Sequence, residues 1–283
     1  MISWPESLIR EAADRRLLLF VGSGISTTAK ADMPVWSPFI SELSLRLQTK
    51  VAKNTIKALL RKEKLLDAAE IVFSEIPKPD LTQILRTRFQ VRPIPHHEVY
   101  SSILSLDLKT ILTTNYDEFL EKNFEYYSDG ESAYAVKTHT ADDLVDNLRS
   151  PAPAIVKVHG CISEANKLVL SRTSYFEARR RNPGFFSVLS ALFTVNTILF
   201  IGYSVSDPDM QMLLENIHAN NSSEHPHYAL VPRQEHASIS ASARRTYNVE
   251  FIEYPAGQHV DAVAAIIEFC QRVRETRAER GIV

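Results

Sequence analysis

One stretch of the chain decides the fold: Leu17-Leu18-Leu19-Phe20-Val21-Gly22-Ser23-Gly24-Ile25-Ser26. Residues 17–21 are apolar without interruption, which is typical of a β-strand that is buried on both faces of a parallel sheet. A glycine turn follows at once, and glycine allows the backbone to turn sharply and to approach another group closely. A strand that runs directly into such a turn predicts the start of a nucleotide-binding α/β domain.

The rest of the chain alternates between apolar strands and segments with helical spacing. We predict further strands at residues 110–114, 154–158, 197–201, 227–231 and 249–252. We predict helical segments at residues 5–16, 116–124, 173–195 and 259–278, the third of them broken near Asn182-Pro183-Gly184. Strands separated by helices predict an α/β fold, a Rossmann-like parallel sheet with helices on both of its faces.

Residues 38–105 depart from this alternation. Apolar residues recur there at helical spacing, as at Phe39, Leu43 and Leu47, and proline-rich turns at residues 77–79 and 93–95 separate the segments. We interpret residues 38–105 as a helical module that is inserted into a single domain spanning residues 1–283.

Composition narrows the range of partners. Hydrophobic residues make up 45% and charged residues 23% of the 283 residues, and the formal net charge is -2. This balance is ordinary for a globular protein, and without a basic field we expect no direct nucleic acid binding. No apolar run approaches the roughly 20 residues that span a bilayer, and the N-terminus has no basic segment followed by an apolar core, so we expect a cytoplasmic protein without a membrane span.

Two cysteines, Cys161 and Cys270, lie far apart in the sequence. They cannot form a disulfide framework or a four-thiolate zinc site. We therefore expect no zinc module and no bound metal.

Polar residues follow two of the predicted strands at their carboxyl ends. Asn115 and Asp117 come after residues 110–114, and His159 comes after residues 154–158. Carboxyl ends of parallel strands face the ligand crevice in this architecture, so the pattern predicts a binding site. Simpler explanations stay open, because Asn and Asp often cap a following helix and His159 precedes a glycine turn. The glycine segment also lacks the third glycine of G-x-G-x-x-G, since Thr27 occupies that position.

Four segments together resemble the sirtuin family, and they occur in the family's order. Gly22-Ser23-Gly24-Ile25-Ser26 is similar to the family's G-A-G-I-S, and Thr113 to Asp117 is similar to T-Q-N-I-D. His159-Gly160 matches the catalytic H-G pair, and Gly202-Tyr203-Ser204 resembles the nucleotide-binding G-T/S-S turn. The resemblance covers residues 17 to about 210.

The chain also departs from the sirtuin deacylases. It has no C-x-x-C pairs, Met33-Pro34-Val35-Trp36 stands in place of G-I-P-D-F-R, and Thr114 replaces the glutamine of T-Q-N-I-D. Gly202 to Asp209 read G-Y-S-x-x-D-x-D, which is typical of the zinc-free bacterial branch. In that branch the resemblance implies hydrolysis of NAD in antiphage defence, often under the control of a partner protein.

The resemblance implies NAD as the substrate and a role for each site residue. Asn115 would orient water or the ribose hydroxyls, Asp117 would accept a hydrogen bond from the nicotinamide carboxamide, and His159 would act as the base. Histidine suits this role because its side chain changes charge near neutral pH. The residues implied to bind the nucleotide are Gly22, Ser23, Gly24, Ile25, Ser26, Thr114, Gly202, Ser204 and Asp209.

Two other functions stay open at this stage: an NAD-dependent protein deacylase and a non-enzymatic module that senses NAD or ADP-ribose. Because an unchecked NAD hydrolase would deplete an essential cofactor, we expect control by assembly. The resemblance suggests a homo-oligomer or a HerA-type ATPase as the partner.

Overall fold

A seven-stranded parallel sheet organises the part of the chain that the computed structural model describes, residues 2–131, 134–203, 205, 208–220 and 223–282. The strands are β1 Leu17–Val21, β2 Thr110–Thr113, β3 Ala135–Thr138, β4 Ala154–Lys157, β5 Thr197–Ile201, β6 His227–Pro232 and β7 Val249–Tyr254. Their order is β3-β4-β2-β1-β5-β6-β7, and every neighbouring pair is parallel. The α/β prediction is confirmed.

Helices cover both faces of the sheet. They are α1 Glu6–Ala13, α2 Ser23–Ala29, α3 Trp36–Ser44, α4 Lys50–Arg61, α5 Leu65–Glu75, α6 Lys78–Phe89, α7 Glu98–Leu104, α8 Phe119–Tyr127, α9 Leu144–Arg149, α10 Arg172–Arg181, α11 Pro183–Val195, α12 Pro208–Asn220, α13 Ala237–Tyr247 and α14 His259–Glu279. A 3-10 helix, Ile162–Lys167, lies between β4 and α10.

Strand β1 is covered on both faces, which explains why its sequence is apolar throughout. Leu17, Leu19 and Val21 belong to a core on one face, which α1, α7 and α14 help to close. Leu18 and Phe20 belong to a second core on the other face, beneath α11 and α12. Side chains alternate across a strand, so a strand that is covered on both faces needs apolar residues at every position.

The helical character of residues 38–105 is also confirmed, since α3 to α7 occupy residues 36–104. Buried side chains of this segment, such as Leu43, Ile56 and Leu85, belong to the same core as the first face of the sheet. The division into one domain, residues 1–283, with an inserted module stays our interpretation.

The structure corrects the sequence prediction at several elements, among them β3, α13 and α8. Strand β3, a half-exposed edge strand, was not predicted, because Ala135-Val136-Lys137-Thr138 carries no apolar run. Helix α13 was missed because it has a single buried residue, Ala243, and hence no apolar stripe. Helix α8 begins at Phe119 rather than at Tyr116, and the residues before it form a loop.

Strand β1 lies at the point where the chain changes direction across the sheet. Its neighbour β2 follows on one side, whereas β5 returns on the other side after β3 and β4 have formed. Ligands of open α/β sheets bind outside the carboxyl ends of the strands at such a switch point. No helix among the described residues is long and apolar enough to cross a membrane.

Candidate active site

A cavity of about 280 Å³ lies at this switch point. The predicted site residues that line it are Ser23, Ser26, Thr114, Asn115, Asp117, His159 and Gly202. They follow β1, β2, β4 and β5, so four strand ends meet as the sequence predicted. The volume is near the lower end of the roughly 300–1,000 Å³ that is usual for small-molecule sites.

Gly22 and Gly24 pack against the turn that follows β5. The backbone N–H of Gly22 donates to the carbonyl of Ile201 at 2.9 Å, and that of Gly24 donates to the carbonyl of Gly202 at 2.9 Å. A Cβ atom on Gly22 would lie 2.3 Å from the Gly202 oxygen. These glycines therefore allow the turn after β1 to contact the turn after β5. Their contact with a pyrophosphate stays a prediction.

Three further predicted residues lie outside the cavity wall or outside the described residues. Ile25 is buried, and its N–H donates to the carbonyl of Gly22 at 3.1 Å. Ser204 and the side chain of Asp209 fall outside the part of the chain that the structure describes. Their roles toward the nucleotide stay predictions.

Ser26 joins the two residues that the sequence places after β2. Its hydroxyl donates to Asp117 Oδ2 at 2.9 Å and accepts from Asn115 Nδ2 at 3.1 Å. All three side chains are buried. The neighbouring Thr113 donates to the carbonyl of Val21 at 2.7 Å, which ties the end of β2 to the end of β1. The first turn of α2 and the loop after β2 thus form one hydrogen-bonded unit.

Asp117 combines the capping role with a place in the site. Its Oδ1 accepts a hydrogen bond from the N–H of Phe119, the first residue of α8, at 3.0 Å. Burial raises the pKa of Asp117, although the positive charge of Lys157 and the hydrogen bonds from Phe119 and Ser26 act in the opposite direction. Asn115 directs its amide to Ser26 instead, so simple capping does not explain it.

His159 is buried and lines the same cavity. Its Nδ1 lies 3.4 Å from the hydroxyl oxygen of Tyr175, and the two rings meet at 70° with centroids 4.8 Å apart. The residue in the left-handed conformation is Gly160, with φ of 90°. The turn therefore requires a glycine at position 160 but does not require a histidine at position 159. Both rings also line an apolar cavity of about 200 Å³ beneath α10, α11 and α12.

Sequence reasoning missed Tyr175 and left Trp36 without a firm role. Tyr175 lies on α10, and no local pattern marks it, because its contact with His159 depends on how α10 packs. Trp36 lies in the cavity wall, 6.1 Å from the Tyr116 ring and 5.9 Å from the Phe73 ring between centroids. The cavity lining thus combines aromatic rings with hydrogen-bonding side chains.

The described residues contain no group of three or more His, Cys, Asp or Glu side chains that is placed to hold a metal ion. Cys161 and Cys270 are buried free thiols. The polar side chains that line the cavity carry hydroxyl, amide, carboxylate and imidazole groups.

The Ser26→Ala variant tests the hydrogen-bonded unit. We expect its free energy of unfolding to fall by about 1–3 kcal/mol, because the Asn115 amide and the Asp117 carboxylate would each lose a buried partner. Urea denaturation measures the change. Ser23→Ala is the matched control, since Ser23 lines the cavity but is exposed to solvent, and we expect a change within about 0.5 kcal/mol there. Equal stabilities of the two variants would contradict the proposed network.

The fold and the site together define a class: an α/β protein with a ligand cavity at the switch point of a parallel sheet, lined by a histidine, an asparagine and an aspartate from neighbouring strand ends. Residues 109–252, just over half of the chain, match the SIR2-like domain. The chain belongs to this family.

Curated relatives resemble the chain over most of its length. It is 25% identical over 247 residues to the NAD(+) hydrolase ThsA of Acinetobacter baumannii (strain 532279), covering 86% of this chain and 48% of that protein. It is 28% identical over 200 residues to the NAD(+) hydrolase ThsA of Cytobacillus dafuensis, covering 70% of this chain and 37% of that protein. It is 24% identical over 216 residues to the defense-associated sirtuin 2 of Bacillus subtilis, covering 74% of this chain and 20% of that protein. The chain therefore spans less than half the length of each of these relatives.

Proposed function

We propose that this chain hydrolyses NAD to nicotinamide and ADP-ribose. One observation carries the proposal: Asn115, Asp117 and His159 line a single cavity, together with the aromatic ring of Trp36. Similarity to two proteins named NAD(+) hydrolase supports the same reaction. The cavity offers the groups that such a reaction needs, namely a base, an amide that can orient hydroxyl groups and a carboxylate that can accept a hydrogen bond.

The reaction breaks the bond between the ribose C1′ and the nicotinamide nitrogen. The bonding electron pair moves to the cationic pyridinium, which leaves as neutral nicotinamide and needs no acid. The ribose passes through an oxocarbenium-like state, as in glycoside hydrolysis, and a water oxygen bonds to C1′. The water proton passes to His159 and then to solvent, so the products are nicotinamide, ADP-ribose and one proton.

Each side chain has a defined part in this reaction. Asp117 accepts a hydrogen bond from the carboxamide, and Ser26 holds the carboxylate in place. Asn115 orients the water or the ribose hydroxyls, and His159 receives the proton, with Tyr175 beside its Nδ1. We assign the adenosine end of NAD to Gly202, Ser204 and Asp209, as the sirtuin resemblance implies.

The product assay tests the proposal directly. Purified protein is incubated with NAD, and nicotinamide and ADP-ribose are quantified by chromatography, with and without an acetyl-lysine peptide. We expect the two products in equal amounts, at a rate that the peptide does not change. Release of nicotinamide only with the peptide, together with loss of its acetyl group, would instead identify a deacylase. NAD that binds and stays intact under every condition would identify a sensing module.

We further propose that the reaction serves defence in the cytoplasm and is controlled by assembly. The similarity to a defense-associated sirtuin supports a defence role. Leu45 and Val51, near the junction of α3 and α4, are 72% and 78% exposed and offer an apolar contact for a second copy or for a HerA-type ATPase. Mass photometry of the chain, alone and mixed with such an ATPase, tests both forms of assembly.

A further inference from the structure

Strand β4 contains a lysine that the reaction does not use. Lys157 stands between Val156 and Val158, and its side chain is only 1% exposed. Removing an ammonium group from water is strongly unfavourable unless partners compensate for the lost hydration. Its position therefore requires specific partners, and these connect it to the site.

The Lys157 ammonium binds two groups on different elements. It donates to the backbone carbonyl of Asp117, in the loop after β2, and to Glu121 Oε1 on α8 at 2.9 Å. Two residues beyond Lys157, the chain reaches His159. A single side chain thus links the strand that leads to His159 with the loop that carries Asn115 and Asp117.

The charges around Lys157 keep it protonated. Burial alone would lower its pKa, but the negative charge of Glu121, with smaller effects of Cys161 and Asp117, raises the pKa. Cys161 Sγ lies 4.0 Å from the same Glu121 Oε1, and burial raises the pKa of Tyr100, whose phenol is also affected by the charges of Asp117 and Glu121. The Lys157 charge also acts on Asp117 by lowering the pKa that burial raises.

We propose that Lys157, held by Glu121, is a positioning residue for NAD hydrolysis: it fixes the Asn115–Asp117 loop beside His159 through the Asp117 carbonyl and keeps a positive charge near Asp117. This inference rests on the proposed function. A purely structural ion pair would stabilise the fold and leave the chemistry of Asp117 unchanged. The two roles differ in what happens when the pair is replaced by apolar residues, because such replacements often preserve stability.

Two variants separate the roles: Lys157→Met, and Lys157→Met combined with Glu121→Leu. The single variant leaves Glu121 buried without its cation, so we expect the urea concentration at the midpoint of unfolding to fall. The double variant should regain most of this lost stability. We expect kcat of the double variant to stay about 10–100-fold below the wild type, since a misplacement of 1 Å can reduce a rate ~10²-fold. KM for NAD should change less than about threefold, as for loss of an interaction that acts only in the transition state.

The pH dependence of kcat/KM also separates the two roles, because a purely structural ion pair would leave it unchanged. Without the Lys157 charge, the pKa of Asp117 rises further, so the acid limb of kcat/KM shifts to higher pH in the double variant. A double variant with wild-type kcat and an unchanged acid limb would overturn the proposal. If the wild type does not hydrolyse NAD, the proposed function fails, and hydrogen exchange still tests positioning: residues 113–119 should exchange faster in the double variant, and unchanged protection would overturn it.

Discussion

The His159→Ala variant is expected to hydrolyse NAD about 10²–10⁴-fold more slowly than the wild type, which is the usual contribution of a positioned general base. The ring lines the same cavity as Asn115 and Asp117, and alanine leaves no group there to receive the water proton. NAD binding should persist, because the hydrogen bonds among Ser26, Asn115 and Asp117 do not involve His159. Nicotinamide release measures the rate, and isothermal titration measures the binding.

His225→Ala is the matched control, because this histidine is exposed and lies outside the cavity. We expect wild-type rates from it. A His159→Ala variant that folds normally and keeps the wild-type rate would exclude His159 as the base.

The Gly22→Ala variant is expected to lose both stability and activity. The new Cβ atom would lie 2.3 Å from the Gly202 oxygen and 2.8 Å from the Tyr203 Cα atom, and both neighbours are backbone atoms that cannot turn aside. Overpacking of this kind usually reduces the free energy of unfolding by about 1–3 kcal/mol. Since the turns after β1 and β5 must separate, Ser26 would move away from Asn115 and Asp117. Urea denaturation and nicotinamide release measure the two effects.

Gly184→Ala provides the comparison for this variant. Nothing lies within 4 Å of a Cβ atom built at Gly184, which is in the first turn of α11. Alanine favours helix over glycine by up to about 1 kcal/mol, so this variant should match or exceed the wild-type stability. Equal stability of Gly22→Ala and Gly184→Ala would show that the two turns do not pack as described.

The buried strands were predictable because their burial leaves a local signal. Thr197–Ile201 and Leu17–Val21 form strands at the positions where continuous apolar runs end in polar or glycine residues. The break at Asn182-Pro183-Gly184 likewise separates α10 from α11, because proline is favoured in the first turn of a new helix. Edge strand β3 escaped prediction, since a half-exposed strand of four residues carries no comparable run.

The site was predictable only as a set of strand ends. The sequence places Asn115, Asp117 and His159 at the carboxyl ends of parallel strands, and the sheet brings them together. Contacts between distant segments left no local signal: Gly202 fits against Gly22, and Tyr175 lies beside His159. Lys157, in contrast, has a local sequence signal, because a lysine within an apolar strand implies a buried charge that needs a partner.

The most direct test of the central claim is the rate of nicotinamide release by the Asn115→Ala variant, measured beside the wild type under the conditions that activate the wild type. We predict that the wild type forms nicotinamide and ADP-ribose in equal amounts, and that Asn115→Ala does so roughly 10²-fold more slowly, because the water or the ribose is no longer held in the reactive geometry. A folded Asn115→Ala variant that releases nicotinamide at the wild-type rate would contradict the assignment of this cavity as the active site.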